Sequence, residues 1–336
     1  MEKRLKKWTL SLLAILLLMT MALTGCGSKE EIVMTIDEEE IGISEAVFYT
    51  RLNQQQWEQV YVDTFGENFW TQSLGEEKGT FGDELKRQVM ETICQIHLMN
   101  ARAEEYGIEL TREEKADVEV RVQEFMENHS QEVKEAAGAG EKLVKRLLTE
   151  RVLADKVAAA MVADYVPQVT TEEAALKKMT YCLFSTLGTY DAAGNHTAVT
   201  AEEAAQIAAD AEAFAARTEE LGNIVAAADE IGHTCIDVYF NDTTNGGAHE
   251  MVAEKLRTLE LGQSAGPIKT EEGYYVIQYI SDYDEEATGE NMEKLAQVKV
   301  EEYGREIYEQ WRSQAKIVIN WEIWDTVTVD RVLFAR

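Results

Sequence analysis

Thiols and imidazoles are the groups in this chain best suited to covalent or metal chemistry, and their spacing limits what they can do. There are four cysteines and five histidines in 336 residues. Apart from Cys26, the cysteines are Cys94, Cys182 and Cys235, widely spaced and odd in number, which is not the pattern of a disulfide framework. Cys94 falls in a stretch with helical apolar spacing, where a thiol serves as a small buried hydrophobe. A bridge between Cys182 and Cys235 stays open beside the alternative of two separate thiols. For Cys235 to act as a nucleophile it would need a neighbour that lowers its pKa, and none is adjacent in sequence. His97, His129, His196, His233 and His249 show no pair at metal-ligand spacing, so neither a structural metal nor a cofactor is expected.

Cys26 has a different setting. Lys3, Arg4, Lys6 and Lys7 precede an almost wholly apolar run from Trp8 to Leu23, the charged-then-apolar form of a secretory signal. That run is short for a membrane span, which needs about 20 residues. It closes on Leu23-Thr24-Gly25-Cys26, which resembles the lipobox of bacterial lipoproteins. The resemblance implies cleavage before Cys26 and acyl chains on its sulfur and new amino group; roughly two chains are required, since each buried CH₂ contributes only about 0.8 kcal/mol. An uncleaved anchor helix is the alternative. In either case the remaining chain is expected at the outer face of the cell membrane.

Lysine and arginine number 32 against 62 aspartate and glutamate, a formal net charge of −30. Loss of the cationic leader would leave the remainder more acidic still. Such a surface repels a phosphate backbone and acidic headgroups, which argues against nucleic-acid partners and direct docking on anionic lipid.

The elements that would position reactive groups are legible as hydrophobic rhythm. Beyond a leader at 1–25 and a tether at 26–31, Ile32 to Ile43 reads as two short strands around an acidic turn at Asp37 to Glu40, with Ser44 capping a helix that carries Phe48, Leu52, Trp57 and Tyr61. A Gly-rich loop from Gly75 to Gly82 precedes a helix marked by Leu85, Val89, Ile93, Ile96 and Met99 at the 3.6-residue period. Thr111 with Glu114 has capping-box spacing, and Val118, Val122, Phe125 and Met126 follow on one face. Another helix runs from Glu141 to Val166, stopped by Pro167. The region 32–169 is therefore expected to be mostly helical.

From 170 to 284 the rhythm is α/β. Met179 to Thr186 reads as a strand, Gly188 to Asn195 as a loop, and Thr200 with Glu203 as the cap of an Ala-rich helix through Phe214. Thr234 to Phe240 reads as a strand, Val252 to Leu261 as a helix and Gly273 to Ile280 as a closing strand. In 285–336, Ala296, Val300, Tyr303, Ile307 and Trp311 form one helical stripe. Lys316 to Trp324 then alternates Ile317, Ile319, Trp321 and Ile323 as a strand that must dock on a folded surface, and the N-terminal region is the expected place. The fold class expected is α+β: a helical domain built from both ends of the chain, with the α/β unit inserted.

Within that inserted unit, Leu259-Glu260-Leu261-Gly262-Gln263-Ser264, Gly266-Pro267-Ile268-Lys269-Thr270 and Gly273-Tyr274-Tyr275-Val276-Ile277, set on the order strand, helix, strand, helix, strand, resemble a parvulin-type prolyl isomerase domain. The match covers about a third of the chain. Flanked by a helical region and a C-terminal helix, the layout resembles extracytoplasmic foldase lipoproteins of the PrsA type and the related SurA-type chaperones. Rotation about an X-Pro bond faces about 18–20 kcal/mol and takes tens to hundreds of seconds. An apolar slot that grips the proline ring and polar groups that stabilise the twisted amide would lower that barrier without a covalent nucleophile.

Active parvulins place a histidine on the first and on the last strand, with a Phe and a Met in the proline slot. By that resemblance Tyr181 and Tyr275 stand at the histidine positions and Val252 near the slot phenylalanine, with Leu183, Phe240 and Met251 as further slot residues. The usual Gly-Gly-Asp-Leu-Gly segment has Cys235 to Phe240 or Asn245 to Gly247 in its place. Two readings of the tyrosines follow: hydroxyls that replace the histidine pair, or ordinary strand aromatics in a domain that kept a peptide-binding shape without catalysis. Three functions are thereby in play. They are an anchored foldase or holdase for unfolded exported proteins, a true isomerase, and a solute-binding lipoprotein of a transporter, the last disfavoured because only one α/β segment is visible.

Overall fold

The computed structural model describes residues 30–75, 78–190 and 194–334. The leader and the lipid attachment expected at Cys26 lie outside the described residues. Among those described, no helix is long and apolar enough to cross a membrane. The chain divides into two compact units, one formed by residues up to Asp164 together with those from Tyr303 onward, the other by Tyr165–Glu302.

In the first unit, strands β1 (Ile32–Ile36) and β2 (Glu39–Gly42) form a hairpin. Strand β9 (Ile317–Ile319) pairs with the other edge of β1, Met34 opposite Ile319 and Ile36 opposite Ile317, giving the order β2-β1-β9. Helices α1 (Ile43–Phe65), α2 (Phe81–Asn100), α3 (Arg112–Asn128), α4 (Gln131–Ala136) and α5 (Glu141–Val162) follow β2 in sequence. Leu85, Val89, Ile93 and Ile96 are all buried, as their period requires, and pack with Met34, Trp70 and Trp324 in one core. A second core joins Phe48 to Val118, Val122, Val144 and Leu147.

Two local expectations are corrected. Ser44 does not cap α1: β2 runs straight into the helix, Gly42 stands at the N-cap without a side-chain bond, and the Ser44 amide donates to Glu30 Oε1 at 2.9 Å. The expected strand from Lys316 to Trp324 stops at Ile319, because Asn320 accepts from the Ile323 amide and starts a helical turn, Trp321–Trp324. That turn buries Trp324 and leaves Trp321 55% exposed, the reverse of a strand alternation.

The second unit opens with the short helix α6 (Thr171–Ala174) and strand β3 (Lys177–Ser185). Helices α7 (Ala201–Leu221) and α8 (Ile224–Ile231) follow, then β6 (Ile236–Phe240), α9 (Glu250–Leu256), β7 (Ser264–Lys269) and β8 (Gly273–Ser281). The sheet order is β6-β3-β8-β7 with antiparallel neighbours throughout. The segment expected as a loop from Gly188 is instead a small hairpin, β4 (Thr189–Tyr190) with β5 (His196–Thr197). The helix expected over Val252 to Leu261 is the shorter α9. Helix α10 (Glu285–Gln314) begins in this unit and runs on past Glu302 into the residues of the first. Gly273 opens β8 at φ 142°, and a Cβ there would meet Phe184 O at 2.2 Å, so only glycine fits this start.

Candidate peptide-binding site

Alternation along β3 and β8 sorts the side chains onto two faces. Cys182, Phe184 and Val276 face Ala211, Phe214, Ile224 and Ala227 of α7 and α8. Met179, Tyr275, Ile277 and Tyr279 face Val252 and Leu256 of α9, with Tyr181 and Leu183 at the edge of that cluster. Leu183 is paired with Tyr275 and Tyr181 with Ile277, so Tyr181 and Tyr275 are diagonal neighbours, their ring centroids 5.2 Å apart. The two residues at the expected histidine positions are thus brought together on the face that α9 covers.

The hydroxyl of Tyr275 donates to Glu272 and that of Tyr279 to Asp282. Burial first, then the hydrogen bond to Glu272 and its charge, push the Tyr275 phenol far above its ordinary range. Tyr181 is raised by burial and by the charge of Glu272. Both phenols stay protonated at neutral pH, and the Tyr275 proton is already committed to a carboxylate.

His249 joins this rim. It caps α9, its Nδ1 accepting from the Met251 amide at 3.2 Å, and its Nε2 meets Glu271 Oε2 at 3.1 Å. Acceptance at Nδ1 assigns the proton to Nε2. Its ring lies 6.5 Å from that of Tyr275, and Glu271 is held below the usual carboxylate range by its own backbone amide and then by His249. Sequence reasoning missed this histidine; its signal was a polar residue just after the Asn245 to Gly247 turn and immediately before an apolar helix start.

The expected slot residues are arranged differently. Val252 is 1% exposed and Phe240, tilted 5.6 Å from Tyr279, is buried too, so both are core rather than wall. Met251 is 48% exposed and stands outside that core. The physical reason is α9, which lies on the tyrosine face and fills it. Two cavities of this unit lie elsewhere: one of about 610 Å³ between Phe184, Phe214, Ile231 and His233 on the opposite face, and one of about 410 Å³ beside the β4–β5 hairpin.

Cys235 lies one register step beyond the Tyr181–Ile236 pair, and its Sγ is 2.9 Å from that of Cys182, both thiols being free. Burial and then the hydrogen bond with Cys235 push the Cys182 thiol far up, so Cys182 is not an activated nucleophile.

The first unit assembles charged groups that spacing did not show. Glu45, His97 and Glu150 bring one potential ligand atom each within 4.8 Å of one another. Arg146 stands among them, 2.9 Å from Glu45 and 3.1 Å from Glu150, and His97 also contacts Glu39 at 3.0 Å and Glu45 at 2.9 Å. Burial pulls His97 down, but hydrogen bonds to Glu39 and Glu45 outweigh it and hold the imidazole up at about 10. Two cations, His97 and Arg146, therefore already pair with the buried Glu45 carboxylate, and the cluster is an ion-pair network joining β2, α1, α2 and α5.

No protein-family model matches the chain, and no curated protein matches it. Among solved structures it is similar to one from work on PEB4 and Cj1289, structurally related SurA-like chaperones of Campylobacter jejuni, at 8% identity over 86% of this chain and 98% of that one, with a TM-score of 0.31. It is similar to the peptidylprolyl isomerase PrsA of Bacillus cereus at 15% identity, over 77% of this chain and 97% of that one, TM-score 0.29. PrsA of Bacillus subtilis is 16% identical, over 76% and 98% of the respective chains, TM-score 0.21.

Proposed function

We propose that this protein is a lipid-anchored, extracytoplasmic chaperone of the foldase type, which binds unfolded exported proteins and whose parvulin-like unit does not turn over prolyl bonds. The leader ending in Cys26 supports the location, and the segments from Leu259 to Ile277 support the parvulin-like unit. The observation that carries the absence of turnover is the closure of the tyrosine face: Val252 and Tyr275 are 1% and 6% exposed, and the Tyr275 hydroxyl is spent on Glu272. A catalyst needs an open slot and polar groups free to follow the twisting amide.

Three measurements test this reading. The protein lacking its leader should suppress aggregation of a denatured client at stoichiometric amounts, and no suppression would overturn the chaperone role. In a proline-peptide isomerisation assay the rate should equal that in buffer. Cys26→Ala should release the protein from the membrane fraction. True isomerase activity is the second reading, favoured by His249 standing 6.5 Å from Tyr275; acceleration that His249→Ala abolishes would establish it.

A further inference from the structure

Helix α1 presents a row of polar side chains to a segment of the same chain that has no regular structure. Arg51 donates to Thr328 O at 2.8 Å, and Gln54 Nε2 donates to Arg331 O at 2.9 Å. The Glu58 carboxylate accepts from the amides of Leu333 at 3.0 Å and Phe334 at 2.9 Å. Gln54 and Trp70 brace that carboxylate, donating to Glu58 Oε1 at 2.9 and 3.1 Å. Gln54 and Glu58 are 0% and 4% exposed, so their contacts, unlike the exposed one from Arg51, are largely withdrawn from water, where hydrogen bonds to a carboxylate are strong.

Two features make this a way of holding peptide rather than ordinary packing. The four bonds made to the segment all involve its main-chain atoms, which every sequence possesses, and among the described residues no backbone–backbone hydrogen bond involves Val329–Phe334. Apolar side chains of the segment enter the core beside the row, Val329 and Phe334 being 8% and 7% exposed. Main-chain bonds for affinity with pockets for intermittent side chains is the general logic of extended-peptide recognition. Gly82 belongs to the same cradle: a Cβ there would meet Val329 O at 2.1 Å, so the segment's backbone passes where no other residue would admit it. A cavity of about 660 Å³ opens directly alongside, lined by Gln55, Gln59 and Val62 of α1 and by Val332 and Phe334. The groove thus continues past its present occupant.

We infer that the Arg51–Gln54–Glu58 face of α1 is a binding groove for extended apolar segments of unfolded proteins, and that Val327–Phe334 occupies it as a resident competitor. This rests on the chaperone reading above and adds to it a site and a form of self-restraint. Because the segment is held by side chains and not by a ladder, it can leave without breaking any strand pairing.

The test uses a fluorescently labelled peptide of the sequence Val327–Phe334 and the whole chain without its leader. Val329→Asp with Phe334→Asp should eject the resident segment and tighten peptide binding, read by polarisation, at least ten-fold over the unsubstituted protein. Adding Glu58→Gln or Gly82→Ala to that variant should remove the gain. A folded ejection variant with unchanged affinity, or a gain that survives both groove substitutions, would overturn the inference. If the ejection variant does not fold, hydrogen exchange on the unsubstituted protein decides: the Leu333 and Phe334 amides should exchange through a local opening, and exchange only with global unfolding refutes displacement. Aggregation assays separate the two claims. Suppression by the parent that the ejection variant does not improve defeats the groove and leaves the chaperone; peptide binding without any suppression defeats the chaperone and leaves the groove.

Discussion

His97 shows how one residue ties four elements together. Its imidazole, 3% exposed, is paired on one side with Glu39 and on the other with Glu45, and its folded pKa of about 10 lies above the roughly 6.5 of an unfolded histidine. Since the folded state holds the proton more tightly, the stabilisation is complete below about pH 6.5 and is lost as pH rises through about 10. Urea midpoints should therefore fall over that interval, and His97→Gln should flatten the profile while lowering stability by about 3 kcal/mol, because it leaves the fully buried Glu45 short of a partner. A profile unchanged by the substitution would show that the imidazole is not charged in the fold. The cysteines make a second case, because Cys182 on β3 and Cys235 just before β6 are already in contact. Oxidised glutathione should convert them to one intramolecular disulfide by thiol–disulfide exchange, each glutathione disulfide leaving as two thiols. Cys94, buried against Met34 Sδ in the first unit and away from the Cys182–Cys235 pair of the second, should stay reduced in the same sample; peptide mapping after alkylation would reveal either failure.

Among the elements, strand β8 depends on a polar residue inside an apolar face. Gln278 is 4% exposed; its Oε1 accepts from the Ile224 amide at 2.9 Å, and its Nε2 donates to Gly222 O at 2.8 Å and Gly262 O at 3.0 Å. It fastens the α7–α8 turn and the turn before β7 to the sheet. Gln278→Leu would strip the buried Ile224 amide, and the carbonyls of the exposed Gly222 and Gly262, of their partner and should cost about 2 kcal/mol in chemical denaturation, whereas a cost within about 0.5 kcal/mol would mean that water replaces the amide. Such long-range pairing explains what sequence could and could not convey about the elements. Capping boxes at Thr111 with Glu114 and Thr200 with Glu203 are local and were legible, and both form. The apolar period through Leu85, Val89 and Ile93 predicted α2 for the same reason. Ser44 misled because a hairpin strand ended directly at the helix, and Trp321 misled because a nearby asparagine turned the chain. At the site, sequence pointed to Tyr181 and Tyr275 and the fold makes them neighbours, but the covering of that face by α9 depends on tertiary packing no spacing reveals. His249 comes near Tyr275 because it caps α9, which packs on that face of the sheet.

For the molecule as a whole, the two units have separate cores, and the tryptophans distinguish them. Trp57, Trp70, Trp311, Trp321 and Trp324, all those among the described residues, belong to the first unit. The second unit, Tyr165–Glu302, holds tyrosines only as its large fluorophores. Indole emission therefore reports the first unit alone, whereas far-ultraviolet circular dichroism reports both. Val276→Asp places a carboxylate at a position that is 0% exposed among Phe184, Phe214 and Ile224, a burial of unpaired charge worth more than about 3 kcal/mol of destabilisation. Two-state behaviour is expected of a single small domain and not of a chain with two cores. In urea, the circular dichroism of this variant should show an early transition that indole emission does not follow, with the later transition unmoved. Coincident early transitions by both probes would mean that α10, which runs through both sets of residues, couples the units into one cooperative body.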